Sequence, residues 1–171
     1  MNRTQSALLL LVLLTLPLFY LFTPGRDAAP VSTLAGVTMS DFSGGRFRLS
    51  TLMTGGKRLL LAFWSITCGD CVAEIPFLIR LHEKFGARLT IIGVHPPSYP
   101  QKRIQAFLKR FPQRIPYLLA IDDELQLTRS CEAVVQPKVV LLDERGRVLW
   151  AHVGYKEEQD AQMEQEILSH L

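Results

Sequence analysis

Between residues 59 and 153 the chain carries five short apolar runs, 59–64, 89–94, 117–121, 139–142 and 148–153, each of strand length. Residues 72–81 follow the first run and 101–110 the second, and both stretches have helical spacing. The two pairs therefore predict βαβ units with parallel strands. Only Asp143 to Arg147 separates the last two runs, which predicts an antiparallel pair. The sum is an α/β fold, a mixed central sheet flanked by helices on both faces. Ahead of it, residues 37–42 and 47–49 flank Ser43-Gly44-Gly45, a turn signal, and predict an N-terminal β-hairpin added to the main sheet.

The extreme N-terminus follows a different pattern. Residues 7–22 form an uncharged apolar run, preceded by Arg3 and followed by Thr23-Pro24-Gly25-Arg26-Asp27. Residues 1–26 thus read as a membrane anchor or a signal segment. The run is shorter than the roughly 20 residues that span a bilayer, and it contains Pro17, so cleavage is one outcome. No A-x-A site follows, however, because Arg26, Asp27 and Pro30 spoil the small-residue pattern around Ala28 and Ala29. We therefore expect a single uncleaved membrane anchor. Secretion after signal cleavage is the alternative. Arg3 stays inside, which sends the rest of the chain across the membrane to the extracytoplasmic side. Residues 27–35, rich in proline and small side chains, read as a tether, and 36–171 as one domain.

Composition narrows the function classes. Three cysteines in 171 residues make no disulfide framework, so stability comes from packing and the thiols are available for chemistry. The net charge of +3 is small and gives no argument for nucleic acid. Lys102, Arg103, Lys109, Arg110 and Arg114 do cluster, and the simplest reading of them is a solvated helix face.

The chemistry concentrates in Cys68-Gly69-Asp70-Cys71, which follows a strand-like run and opens a helix-like one. Two thiols so spaced close a small disulfide ring at a helix N-terminus, where partial positive charge favours the thiolate. Cys68 is then the attacking thiol and Cys71, one turn deeper, the resolving one. The same spacing also suits zinc or a purely structural pair. Pro76 and the strand-turn-helix setting favour redox chemistry.

Residues 63–76, Phe-Trp-Ser-Ile-Thr-Cys-Gly-Asp-Cys-Val-Ala-Glu-Ile-Pro, resemble the active-site region of thioredoxin-like proteins of the membrane-tethered TlpA/ResA/CcmG type. Val135-Gln136-Pro137-Lys138 and the run after it resemble that family's cis-proline loop and following strand, and Glu144-Arg145-Gly146-Arg147 its hairpin turn. The likeness covers residues 36–170 and implies a thioredoxin-like fold. Pro137 is then the cis-proline facing the disulfide, with a trans proline at a strand start as the alternative. Gln136 is expected to pair its backbone with an extended substrate. Glu74, three residues beyond Cys71, matches the position of a functional acid in ResA-like members and is expected to relay a proton; the competing reading is a solvated carboxylate. Two departures bear on the substrate. Thr67 stands where the family has an aromatic residue, which leaves Cys68 less covered, and Lys138 stands where it often has Thr.

Gly69 and Asp70, between the thiols, bear on redox poise. A carboxylate there opposes a thiolate, so a reductant is expected rather than a strong oxidant, although Asp70 also suits a helix cap. His95-Pro96-Pro97-Ser98-Tyr99-Pro100 is a stiff loop, and His95 and Tyr99 are expected to line the approach to Cys68 unless the prolines only shape a connection. Phe63 and Trp64 read as core and wall, and Cys131 as a buried thiol.

The resemblance implies a thiol:disulfide oxidoreductase tethered to a bacterial inner membrane, its domain in the periplasm or extracytoplasmic space, that reduces disulfides in exported proteins, such as apocytochromes c or metal-site cysteines. A membrane reductase would donate the electrons. The expected chain is a monomer with a Cys68–Cys71 disulfide and no metal or cofactor. Two alternatives remain: a Sco-like copper chaperone using both cysteines with His95 or His152, and a thioredoxin-like binding module without turnover.

Overall fold

The computed structural model describes residues 34–171. The expected anchor and most of the expected tether lie outside them. No helix among the described residues is long and apolar enough to cross a membrane. Leu34 and Ala35, the end of the expected tether, lie in a 3-10 turn, Leu34–Gly36, and Leu34 is buried in the core.

Seven strands form one sheet: β1 (Thr38–Asp41), β2 (Arg46–Arg48), β3 (Arg58–Phe63), β4 (Leu89–His95), β5 (Leu118–Ile121), β6 (Lys138–Leu142) and β7 (Val148–Val153). Their spatial order is β2-β1-β5-β4-β3-β6-β7. The central β5-β4-β3 strands are parallel, and the hairpin β1–β2 and the pair β6–β7 attach antiparallel at either side. The mixed sheet and the added hairpin are therefore as the apolar pattern predicts.

Apolar runs arise because the sheet is covered on both faces. Leu60, Ala62, Ile91, Val139 and Leu141 belong to one core, with Ile75, Leu78 and Phe85 of α1 (Gly69–Phe85) and Met163 and Ile167 of α4 (Asp160–Leu168). Leu59, Leu61, Phe63, Ile92, Val94, Val140 and Leu142 belong to the other, with Met39 of the hairpin and Leu127 of α3 (Gln126–Ser130). Ion pairs Arg80–Asp160 and Lys84–Glu164 tie α1 to α4. The remaining helix, α2 (Gln101–Arg110), is pinned to the end of β1, where the side-chain amides of Gln101 and Gln105 donate to the Phe42 carbonyl.

Candidate active site

The site forms where β3 and β4 end and β6 begins. Phe63, the last residue of β3, pairs with Val94 of β4 and with Lys138, the first residue of β6. The loop to Cys68 thus leaves the sheet beside the start of β6. Gln136–Pro137 immediately precedes that strand and is cis, as expected. The chain after β3 enters α1, whose first turn holds the Cys68–Cys71 disulfide, S–S 2.07 Å. Cys68 is half-buried and Cys71 is 1% exposed, which fits an outer attacking sulfur and an inner resolving one.

Cys68 is also the helix N-cap: its Sγ accepts from the Cys71 N–H at 3.2 Å. The ring closure brings that sulfur over the amide of the third helical residue, the position a capping oxygen ordinarily serves. Asp70 is therefore not the cap. It stands exposed in the first turn, beside exposed Gly69, where a carboxylate complements the helix dipole.

Glu74 is 1% exposed, which corrects the solvated alternative. Neither of its carboxylate oxygens has a hydrogen-bond partner among the described residues. Burial, reinforced by the charge of Asp160, pushes its pKa up to about 8. A group poised near neutrality without a fixed partner is suited to take and return a proton. Sequence could have shown the burial: Cys71, Glu74, Ile75 and Leu78 recur at positions one, four, five and eight of a helical stripe, and all four are buried.

His95 is placed differently from expectation. As the last residue of β4 it is fully buried, beneath the active-site loop rather than along the approach to Cys68. The Ile66 N–H donates to its Nε2 at 3.4 Å, so Nδ1 carries the proton and donates to the Pro96 carbonyl at 2.5 Å. Burial lowers its pKa, and the bond to Pro96 only partly opposes this. A neutral imidazole therefore braces the loop. Its edge meets Trp64, ring centroids 5.2 Å apart, and Gly93 makes room for that indole, since a Cβ there would lie 3.2 Å from the Trp64 Nε1. Trp64 and Phe63 are buried, as expected.

Tyr99 does reach the site. Its hydroxyl lies 3.2 Å from the exposed Thr67 Oγ1, which is also 3.2 Å from Ser65 Oγ, and the Arg103 guanidinium sits over its ring at 4.6 Å. Ser65 and Arg103 were not singled out for the site by sequence. Cys131 is buried and its thiol pKa is raised to about 11, chiefly by burial, so it stays protonated and unreactive at neutral pH. Lys138 donates to the Glu132 carbonyl at 3.3 Å. Also unforeseen are Val134 and Val135, 84% and 64% exposed, directly before half-buried Gln136.

No group of three or more His, Cys, Asp or Glu side chains able to hold a metal occurs among the described residues. Both His95 nitrogens are engaged and His152 is stacked on Trp150 at 5.9 Å, and neither imidazole is gathered with the two cysteines.

Comparison with known proteins agrees with this geometry. Residues 26–167 match the Redoxin family. A stretch of 101 residues is 28% identical to the thioredoxin-like protein YneN of Bacillus subtilis, covering 58% of each chain. The thiol-disulfide oxidoreductase ResA of Geobacillus thermodenitrificans is 29% identical over 150 residues, 85% of this chain and 82% of the relative. Among solved structures, a putative thiol:disulfide interchange protein DsbE from Chlorobium tepidum superposes with a TM-score of 0.68 at 26% identity, over 77% of this chain and 90% of the other. With its thioredoxin-like fold and the Cys68–Cys71 pair at the mouth of α1, the chain belongs to the Redoxin family, as a thiol:disulfide oxidoreductase of the TlpA/ResA/CcmG type.

Proposed function

We propose that this oxidoreductase reduces disulfides in exported proteins, those of cytochrome c maturation or metal-site assembly, from an anchor formed by residues 7–22. The observation that carries the reading is the buried, unpartnered Glu74 carboxyl one helical turn behind the buried Cys71.

In the reductive half-reaction the Cys68 thiolate attacks one sulfur of the substrate disulfide, and the other sulfur leaves and takes a proton. The raised pKa leaves most Glu74 protonated at neutral pH, so its ionised fraction accepts the Cys71 proton, and the protons gained by the substrate come from solvent. The Cys71 thiolate then attacks the Cys68 sulfur, releasing the second substrate sulfur, which is protonated in turn. The substrate gains two electrons and two protons, and the enzyme is left with the Cys68–Cys71 disulfide. A membrane dithiol reductase restores the dithiol by attacking that disulfide, and the protonated Glu74 returns its proton to the departing Cys71. Gln136 and Pro137 border the site. The main chain of Gln136 takes no main-chain partner among the described residues and would pair with an extended substrate.

Cys71→Ser should trap mixed disulfides between Cys68 and the physiological substrate, visible on non-reducing gels, whereas Cys68→Ser should abolish turnover. Full multiple-turnover activity in Cys71→Ser would refute the two-thiol mechanism. The reduction potential of the couple, from equilibration with glutathione, separates a reductant from an oxidant. A reporter fused after Leu171 should be active only in an exported compartment, and activity in the cytoplasm would refute the location.

A further inference from the structure

Beside the disulfide, on the face turned toward α2, lies a groove of about 560 Å³ lined by Ile66, Thr67, Val72, Arg103, Phe107 and Arg110. Arg103, Phe107 and Arg110, spaced by four and three, occupy one stripe of α2, so one helix face supplies an aromatic floor flanked by two cations. Phe107 packs on Trp64 at 6.1 Å, which joins that floor to the wall behind the cysteines. Thr67, adjacent to Cys68, forms the near end of the groove.

The charge of this face is one-sided. From Pro96 to Ile121 the chain contains five basic residues, Lys102, Arg103, Lys109, Arg110 and Arg114, and no acidic one. None of the five forms an ion pair among the described residues, although five ion pairs form elsewhere in the fold. The stretch more than accounts for the net charge of +3. Solvated helix faces ordinarily mix signs. Asp70, next to the cysteines in sequence, does not line the groove.

We infer that this groove is the docking site for an acidic segment flanking the substrate's disulfide, with apolar side chains on Phe107, Ile66 and Val72 and carboxylates on Arg103 and Arg110. Arginine suits this task because its planar fork takes a carboxylate through two parallel hydrogen bonds. Arg103 is already oriented by stacking on Tyr99, whose hydroxyl touches Thr67, so the anchor lies two contacts from the residue before Cys68. The inference rests on the reductase reading and assigns its substrate class.

The test uses the full-length protein, reduced and freed of reductant, with peptides that share one disulfide-containing core and differ only in flanks of Glu, Gln or Lys. In a single turnover the Cys68/Cys71 dithiol becomes the disulfide and the peptide disulfide gains two electrons and two protons. The second-order rate constant for the Glu peptide should exceed that for the Lys peptide by about tenfold near 0.01 M ionic strength, since two exposed pairs each give a severalfold effect. The ratio should approach unity near about 1 M salt. Arg103→Glu/Arg110→Glu should invert it, and the control Arg88→Glu/Arg145→Glu, at the far end of the sheet, should not. Equal rates for all three peptides in the native protein overturn the inference while leaving the reductase reading in place. No reduction of any peptide overturns that reading itself. A ratio of one together with self-association lost in Arg103→Glu/Arg110→Glu would seat a second copy of the chain on this face, and also overturns the inference.

Discussion

Replacing Glu74 by Gln probes the buried carboxyl through both stability and rate. The residue is 1% exposed, and burial with the charge of Asp160 raises its pKa from an ordinary 4.5 to about 8. Between those two values the folded protein keeps a proton that the unfolded chain has released. The folded state then binds more protons, so stability falls as pH rises through that window and levels off on either side. At about 1.4 kcal/mol per pKa unit the complete loss is about 5 kcal/mol, of which about 3 kcal/mol has occurred by pH 7. Gln keeps the shape and does not titrate, so the loss disappears in the variant. Chemical denaturation of the oxidised proteins from pH 5 to pH 9 should show Glu74→Gln gaining on the parent by roughly 1 kcal/mol per pH unit up to about pH 8. A constant cost of burying the amide shifts the whole curve without changing its slope. In the reduced protein the same variant should slow resolution at neutral pH by about a hundredfold, the low end for a lost general base, while Cys68 alkylation stays near the parent rate. Parallel stability curves would refute the burial argument, and equal loss of both rates would reduce Glu74 to a structural role.

Cys131→Ala should leave turnover intact and lower stability by about 1 kcal/mol, because a buried sulfur is lost from the core around Leu127 and Ala133; a denaturant midpoint and an insulin-reduction rate measured together check this, and lost turnover would mean a third redox thiol. Asp70→Asn removes an exposed negative charge next to the attacking sulfur. A unit charge at close range in water is worth about 1 kcal/mol, so alkylation of reduced Cys68 should accelerate by up to roughly fivefold at neutral pH; an unchanged or slower rate would show that the carboxylate acts on the helix dipole alone.

The central strands were legible because both faces of the sheet are covered. Leu59, Leu61 and Phe63 enter one core while Leu60 and Ala62 enter the other, so the strand reads as an unbroken apolar run. Helix α4 left no such trace. Only Met163 and Ile167 bury an apolar stripe, and ion pairs to α1 together with the Trp150 indole donating to Glu166 at 3.0 Å hold the rest. Helix α3 was hidden for another reason: it is five residues long and is entered through Leu125 in a left-handed conformation, φ 55°. Its first amides are taken by Asp122, whose carboxylate accepts from Leu127 and Thr128 from outside the helix. Neither device has a local sequence signature.

At the site, position was easier to read than environment. The spacing of Cys68 and Cys71 and the X-Pro step at Pro137 are local, and both lie where the motif implies. The states of Glu74 and His95 depend on what packs above them. A histidine ending a strand beside three prolines looks like a mouth residue, yet β4 lies between β3 and β5, and the loop from Trp64 to Thr67 closes over its end. The proline-dense segment consequently has two tasks. Pro96 fixes the His95 tautomer that braces the cysteine loop from below, while Tyr99, four residues after His95, meets Thr67 at the surface and holds Arg103 at the head of the basic groove. The scaffold beneath the disulfide and the surface that would receive a substrate are thus set by one short connection, so substitutions in it should separate into those that disturb Cys68 reactivity and those that disturb only substrate choice.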